Sequence, residues 1–117
     1  MRRITPLITL LALSACADTT GDWSGQCDIG EVELDVTMSV TEEDGSITGT
    51  GTIGYTNEDG SVSEEAEVTG TRDGDIVLLE LQPVTIGEME FDATIDGDAL
   101  SGSCMWATIE GDALLER

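Results

Sequence analysis

Apolar and polar residues alternate one for one along much of this chain, and that period restricts it to half-buried β-strands. Val32, Leu34, Val36, Met38 and Val40 alternate with Glu33, Asp35, Thr37, Ser39 and Thr41. Met89, Phe91, Ala93 and Ile95 alternate in the same way with Glu90, Asp92, Thr94 and Asp96. No window carries a helical period. The alternation is broken by Asp44-Gly45, Asp59-Gly60, Asp73-Gly74, Asp96-Gly97 and Glu110-Gly111. In such pairs glycine supplies the positive φ of a tight hairpin and the acid tolerates the neighbouring position. Between these turns the pattern predicts eight strands, near residues 21–28, 32–41, 46–55, 61–71, 75–82, 87–95, 99–109 and 112–117.

Connections of hairpin length join consecutive strands side by side, so the expected fold is all-β, an antiparallel eight-stranded up-and-down meander. Eight strands in this order close into a small β-barrel, which removes both exposed sheet edges. A β-sandwich is the alternative. Gly49, Gly51, Gly70 and Gly102 fall inside predicted strands, where missing side chains suit the sharp coiling of a small barrel.

The first residues read differently. Arg2 and Arg3 precede a mostly apolar stretch, Ile4 to Leu13, which has the length of a signal-peptide core and is too short to span a bilayer. It ends in Leu13-Ser14-Ala15-Cys16, which resembles the lipobox of bacterial lipoproteins: an aliphatic residue, two small residues and the modified cysteine. That resemblance implies cleavage after residue 15 and a diacylglycerol on the Cys16 thiol. The expected organisation is a signal peptide over 1–15, a lipidated N-terminus and short tether over 16–20, and a barrel domain over 21–117. Ala17 follows the cysteine, and under the sorting rule of some bacterial lipoproteins this favours the outer membrane.

Within the domain, Gly21-Asp22-Trp23 opens the first strand and Arg117 closes the last. This resembles the calycin pattern of lipocalins and avidin-like barrels, in which an arginine from the chain's end covers the tryptophan of strand one. The resemblance implies that Trp23 and Arg117 seal one end of the barrel, through cation–π attraction of about 0.5–2 kcal/mol. The domain is shorter than a lipocalin and has four aromatic residues, Trp23, Tyr55, Phe91 and Trp106, which leaves little room for a large ligand cavity.

Charge excludes much of the remaining chemistry. Removing fifteen of the 117 residues leaves 102, which hold all 25 acids but only Arg72 and Arg117 as cations, a formal charge of −23. Nucleic acid is excluded as a partner, because phosphate contacts need a basic surface. An anionic membrane surface would repel the domain as well, so the lipid on Cys16 must hold it to the membrane. The acidity itself reads first as solubility through charge, with a saline habitat or a basic partner as alternatives.

Without histidine or lysine the chain has no Ser-His or Cys-His pair and no Schiff-base amine, so no enzyme is expected. Gly49-Thr50-Gly51-Thr52-Ile53-Gly54 spells the dinucleotide fingerprint, yet it lies inside a predicted strand and leads into an acidic turn instead of a helix. Asn57-Glu58-Asp59 and Glu42-Glu43-Asp44 offer oxygen donors without EF-hand spacing and read as solvated turns. No metal and no cofactor are expected.

Once Cys16 is lipidated, Cys27 and Cys104 remain, and an exported protein meets an oxidising compartment. Cys27 shares a face with Trp23, and Cys104 with Leu100 and Trp106, so a disulfide can form inside the barrel; two separate buried thiols are the alternative. Strand eight separates strands one and seven, so the bond is expected to pass beyond the end of that short strand. Glu64 and Glu80 fall close to the inward register, although Val77, Leu79 and Leu81 make the better inner face for strand five.

These features lead to a monomeric envelope lipoprotein whose barrel is a binding or interaction module. It either takes a small apolar ligand in a lipocalin-like mouth or docks a basic protein on its acidic surface. Small barrel lipoproteins that inhibit lysozymes or proteases act in the second way, although none of their motifs is present here. A structural envelope role without a ligand site is the third possibility.

Overall fold

The structure, a computed structural model, describes residues 18–57, 59–83 and 87–117. The expected signal peptide and Cys16 lie outside the described residues. Eight strands follow one another in chain order: β1 (Gly21–Ile29), β2 (Val32–Glu43), β3 (Ser46–Asn57), β4 (Gly60–Asp73), β5 (Ile76–Pro83), β6 (Met89–Asp96), β7 (Ala99–Trp106) and β8 (Ile109–Glu116). Every neighbouring pair is antiparallel, and β8 returns to pair with β1 over Ser24↔Glu116 to Asp28↔Asp112. The sheet is a closed up-and-down barrel, not a sandwich.

The inner face follows the alternation in the sequence. Leu34, Val36, Met38 and Val40 of β2 are buried, as are Met89, Phe91, Ala93 and Ile95 of β6. Val77, Leu79 and Leu81 fill the inner face of β5, which turns Glu80 to solvent; Glu64 keeps the inward register of β4 and is half-buried. Together with Trp23, Ile47, Ile53, Val68, Leu100 and Leu115 these side chains fill the barrel as one apolar core.

Hairpin geometry explains where the expected turns shift. Asp44 and Gly45 both have positive φ, 52° and 80°, the I′ requirement that an acid followed by glycine meets. In the β4–β5 and β6–β7 turns, Gly74 and Gly97 come first instead, and Asp73 and Asp96 close the preceding strands. The expected turn at Glu110-Gly111 is absent. The chain reverses three residues earlier, at Ala107-Thr108, with Ala107 at φ 57°, so β7 ends at Trp106 and β8 begins at Ile109. Strand β6 begins at Met89, two residues later than expected.

Gly111 is needed for packing. It points inward from β8, and a methyl group there would overlap the Asp28 carbonyl oxygen of β1. Gly49, Gly70 and Gly102 are equivalent: each would drive a Cβ into the backbone of the adjacent strand. Glycines at these inward positions let the sheet fold tightly enough to close with eight strands.

Candidate functional site

Both ends of the described chain and the β2–β3, β4–β5 and β6–β7 turns lie at one end of the barrel. Residues 18–20, expected as part of a short tether, are in part built into that end. Thr19 is buried, and its carbonyl accepts a 2.8 Å hydrogen bond from the Trp23 indole Nε1. Its backbone N–H and hydroxyl both donate to Glu42 Oε1, at 3.1 and 2.8 Å. Glu42 is the last inward-facing residue of β2, and Arg72 the last of β4. The Arg72 guanidinium binds the carboxylate with two parallel bonds, Nε to Oε1 at 2.6 Å and the second terminal nitrogen to Oε2 at 2.7 Å. The Arg72 hydrogen bonds hold the Glu42 carboxyl down at about 2, against an ordinary value of 4.5, despite the opposing effect of burial. The same bonds push the Arg72 guanidinium up.

Arg117 completes the closure. Its guanidinium carbon lies 4.5 Å from the centroid of the Trp23 ring. One terminal nitrogen donates to the carbonyls of Asp18 and Thr20, the other to that of Gly97, and Nε donates to Asp98 at 3.0 Å. Both cations of the domain are therefore engaged at this end. Thr19 carries no signal in the sequence; Glu42, expected in a solvated turn with Glu43 and Asp44, is instead only 6% exposed at its side chain and bound to Arg72. The available signal was that Glu42 continues the inward series of Leu34 to Val40, where a charge must find a partner.

Cys27 and Cys104 form a disulfide, with Cα atoms 6.1 Å apart. Its path corrects the expected one. Cys27 stands opposite Ala113 and Cys104 opposite Gly111, so the bond crosses the inner face of β8 instead of passing beyond its end. The small residues at positions 111 and 113 leave the space, and the fold at Gly111 brings β1 and β7 together over β8.

The opposite end carries the β1–β2, β3–β4, β5–β6 and β7–β8 connections. Tyr55 of β3 and Trp106 of β7 meet there, with ring centroids 6.3 Å apart. Three strands lie between β3 and β7 on either side of the eight-strand ring, so this contact spans the mouth. The cross-strand partner of Tyr55 is Val62 and that of Trp106 is Ile109; they are 36% and 52% exposed. The barrel is thus filled along its length and capped by aromatic rings at each end. The space able to hold a partner lies outside. A groove of about 780 Å³ runs over the outer wall of β1 to β5. Two cross-strand rows line it, Asp22–Ser39–Thr50–Glu67–Gln82 and Ser24–Thr37–Thr52–Glu65, a surface of hydroxyls and carboxylates.

Gly49 to Gly54 lies within β3, without the loop and helix that hold a pyrophosphate. Among the described residues no three acidic or cysteine side chains converge as metal ligands. Comparison of the chain with protein-family models, with curated proteins and with solved structures finds no match in any of the three.

Proposed function

We propose that this chain is an envelope lipoprotein, lipid-anchored through Cys16, whose acidic barrel is a binding module for a basic protein. One observation carries the reading. The two cations of the domain are committed to Glu42, Asp98 and backbone carbonyls at the end where the chain enters, so the outer wall presents carboxylates without cations of its own. Complementary charge must come from outside, and electrostatic complementarity sets partner choice and association rate. The packed interior favours this reading over an enclosed apolar ligand. With Asp18 pinned to Arg117, two residues from Cys16, the anchor would place the Trp23 end toward the membrane and the mouth away from it.

The test is capture of envelope proteins on the immobilised mature protein in low and high salt. Basic proteins should be retained at about 0.01 M sodium chloride and released near 1 M, where the Debye length shrinks from about 30 Å to about 3 Å. Retention that ignores salt, or a set of acidic or neutral captured proteins, would overturn the reading. For the anchor, Cys16→Ser should abolish palmitate incorporation and release the protein from the membrane fraction; persistent labelling would refute it.

A further inference from the structure

The end of the barrel remote from the chain entry gathers exposed apolar side chains around one pair of rings, whereas Ile76, Leu78, Met105 and Leu114 are exposed on the outer wall. In the β1–β2, β3–β4 and β7–β8 hairpins the last inward-facing rung is apolar: Ile29 opposite Val32, Tyr55 opposite Val62 and Trp106 opposite Ile109. The first member of each pair packs on the core, while Val32, Val62 and Ile109 are 39%, 36% and 52% exposed. The contact between Tyr55 and Trp106 draws the β3–β4 and β7–β8 hairpins together, so Val62 and Ile109 flank one aromatic platform. Exposed apolar residues scattered singly need no explanation, but a contiguous apolar patch marks a contact surface. Around this one stand Glu31, Glu33, Glu88 and Glu110. Both arginines of the described chain are at the opposite end.

Resting on the reading of the domain as a module for basic partners, we infer that the mouth is the docking point. Its occupant is a segment of a basic protein that presents an aromatic or aliphatic side chain flanked by arginine or lysine. An apolar centre within a charged rim is the usual anatomy of a protein interface, and aromatic anchors dominate its energetics. A second copy of this chain is a poor occupant, because it would bring the same ring of carboxylates against this one. A lipid surface would supply the apolar contact without the cations.

Isothermal titration of the full mature protein with two synthetic peptides of equal positive charge tests this. One contains lysine and glycine, the other arginine and tryptophan. The tryptophan peptide should bind about tenfold more tightly, the scale of one buried aromatic anchor. Replacing Val62→Ser and Ile109→Ser together should remove that advantage and leave lysine–glycine binding unchanged. Ile76→Ser, at an exposed site on the outer wall near the opposite end, should change neither. Circular dichroism of each variant guards against misfolding, and all three positions are exposed. Equal binding of the two peptides, or an advantage that survives the mouth substitutions, would overturn the mouth while leaving a charge-only module standing. Sedimentation showing a dimer that Ile109→Ser dissolves would assign the mouth to self-association. Binding of neutral phosphatidylcholine vesicles, lost in Ile109→Ser, would assign it to lipid. Absence of binding by both peptides at low salt would overturn the basic-partner reading itself.

Discussion

Replacing Glu42 by glutamine isolates one charge in the network that closes the barrel. The amide keeps the size of the carboxylate, and its oxygen can still accept from the Thr19 N–H and hydroxyl, so packing and those two hydrogen bonds are largely retained. What disappears is the ionic bond to Arg72 at a site where the carboxylate side chain is only 6% exposed. The folded-state pKa of about 2 against 4.5 sets the scale. Each unit is worth about 1.4 kcal/mol, so the charged form contributes about 3 kcal/mol at pH 7. Because the folded value is depressed, this contribution is complete above pH 4.5 and is lost as pH falls toward 2. Linkage leaves less than half of it at pH 3 and little at pH 2. Urea unfolding of wild type and Glu42→Gln at pH 7, 4.5 and 3 should therefore show a gap that narrows only below 4.5. A gap of the same size at every pH would mean that glutamine disrupts packing and not charge. No gap at pH 7 would mean that water already replaces Arg72 in the unpaired state.

Three further outcomes follow from the fold. Reduction of Cys27–Cys104, which spans 77 positions of sequence, should lower unfolding free energy by about 4 kcal/mol in the chain-entropy picture, as measured by urea titration with and without reductant. Gly111→Ala should destabilise by about 3 kcal/mol or prevent disulfide formation, because its methyl group overlaps the Asp28 carbonyl; normal stability and a titrated thiol count of zero would refute the packing account. Melting temperature should rise as sodium chloride is raised from about 0.01 to 1 M, since a charge near −23 is then screened; a flat series would show that local pairing already neutralises the wall.

The strands and their inner face were legible because a pleated strand turns successive side chains to opposite sides, so Val32 to Thr41 carry their own orientation. The last turn was misread for a related reason. An acid followed by glycine is the strongest hairpin signal, and Glu110-Gly111 has it, yet glycine is required there because another backbone presses on it. The true turn places Ala107 at positive φ, which no local rule favours. The network of Thr19, Glu42 and Arg72 was hidden because β3 lies between β2 and β4, and only closure brings their last inward residues to one rim. The Tyr55–Trp106 contact was hidden more deeply, since β3 and β7 become opposed only once the ring is complete. The cysteines were visible, but the path of their bond depended on two small residues of β8 whose inward register the false turn obscured.

Where the two arginines stand explains how so acidic a chain can fold and still present a uniform charge. The strand ladders satisfy their own carbonyl groups, but those of Asp18, Thr20, Gly74 and Gly97 lie outside the ladders and receive a guanidinium N–H instead. Of these contacts only the one to Asp18 is part-buried, but Arg72 also pairs Glu42, whose side chain is 6% exposed, and a desolvated carboxylate left unpaired costs more than the roughly 0–1 kcal/mol of a surface ion pair. Arginine at these positions therefore stabilises the fold more than it would by neutralising an exposed carboxylate on the wall. The acids of the wall, by contrast, are solvated at the rims of cross-strand rows, where each carboxylate repels its neighbours only through water and salt. Compactness is supplied by the apolar interior, the disulfide and the two aromatic caps, and of these only the cap at Trp23 uses a charge, that of Arg117. The fold can thus leave the whole outer surface anionic, and sodium ions and a cationic partner compete for the same screening role. A partner bound through charge alone would be displaced by salt in proportion to its contacts, whereas one that also seats an aromatic group at Val62 and Ile109 would retain part of its affinity when the charges are screened.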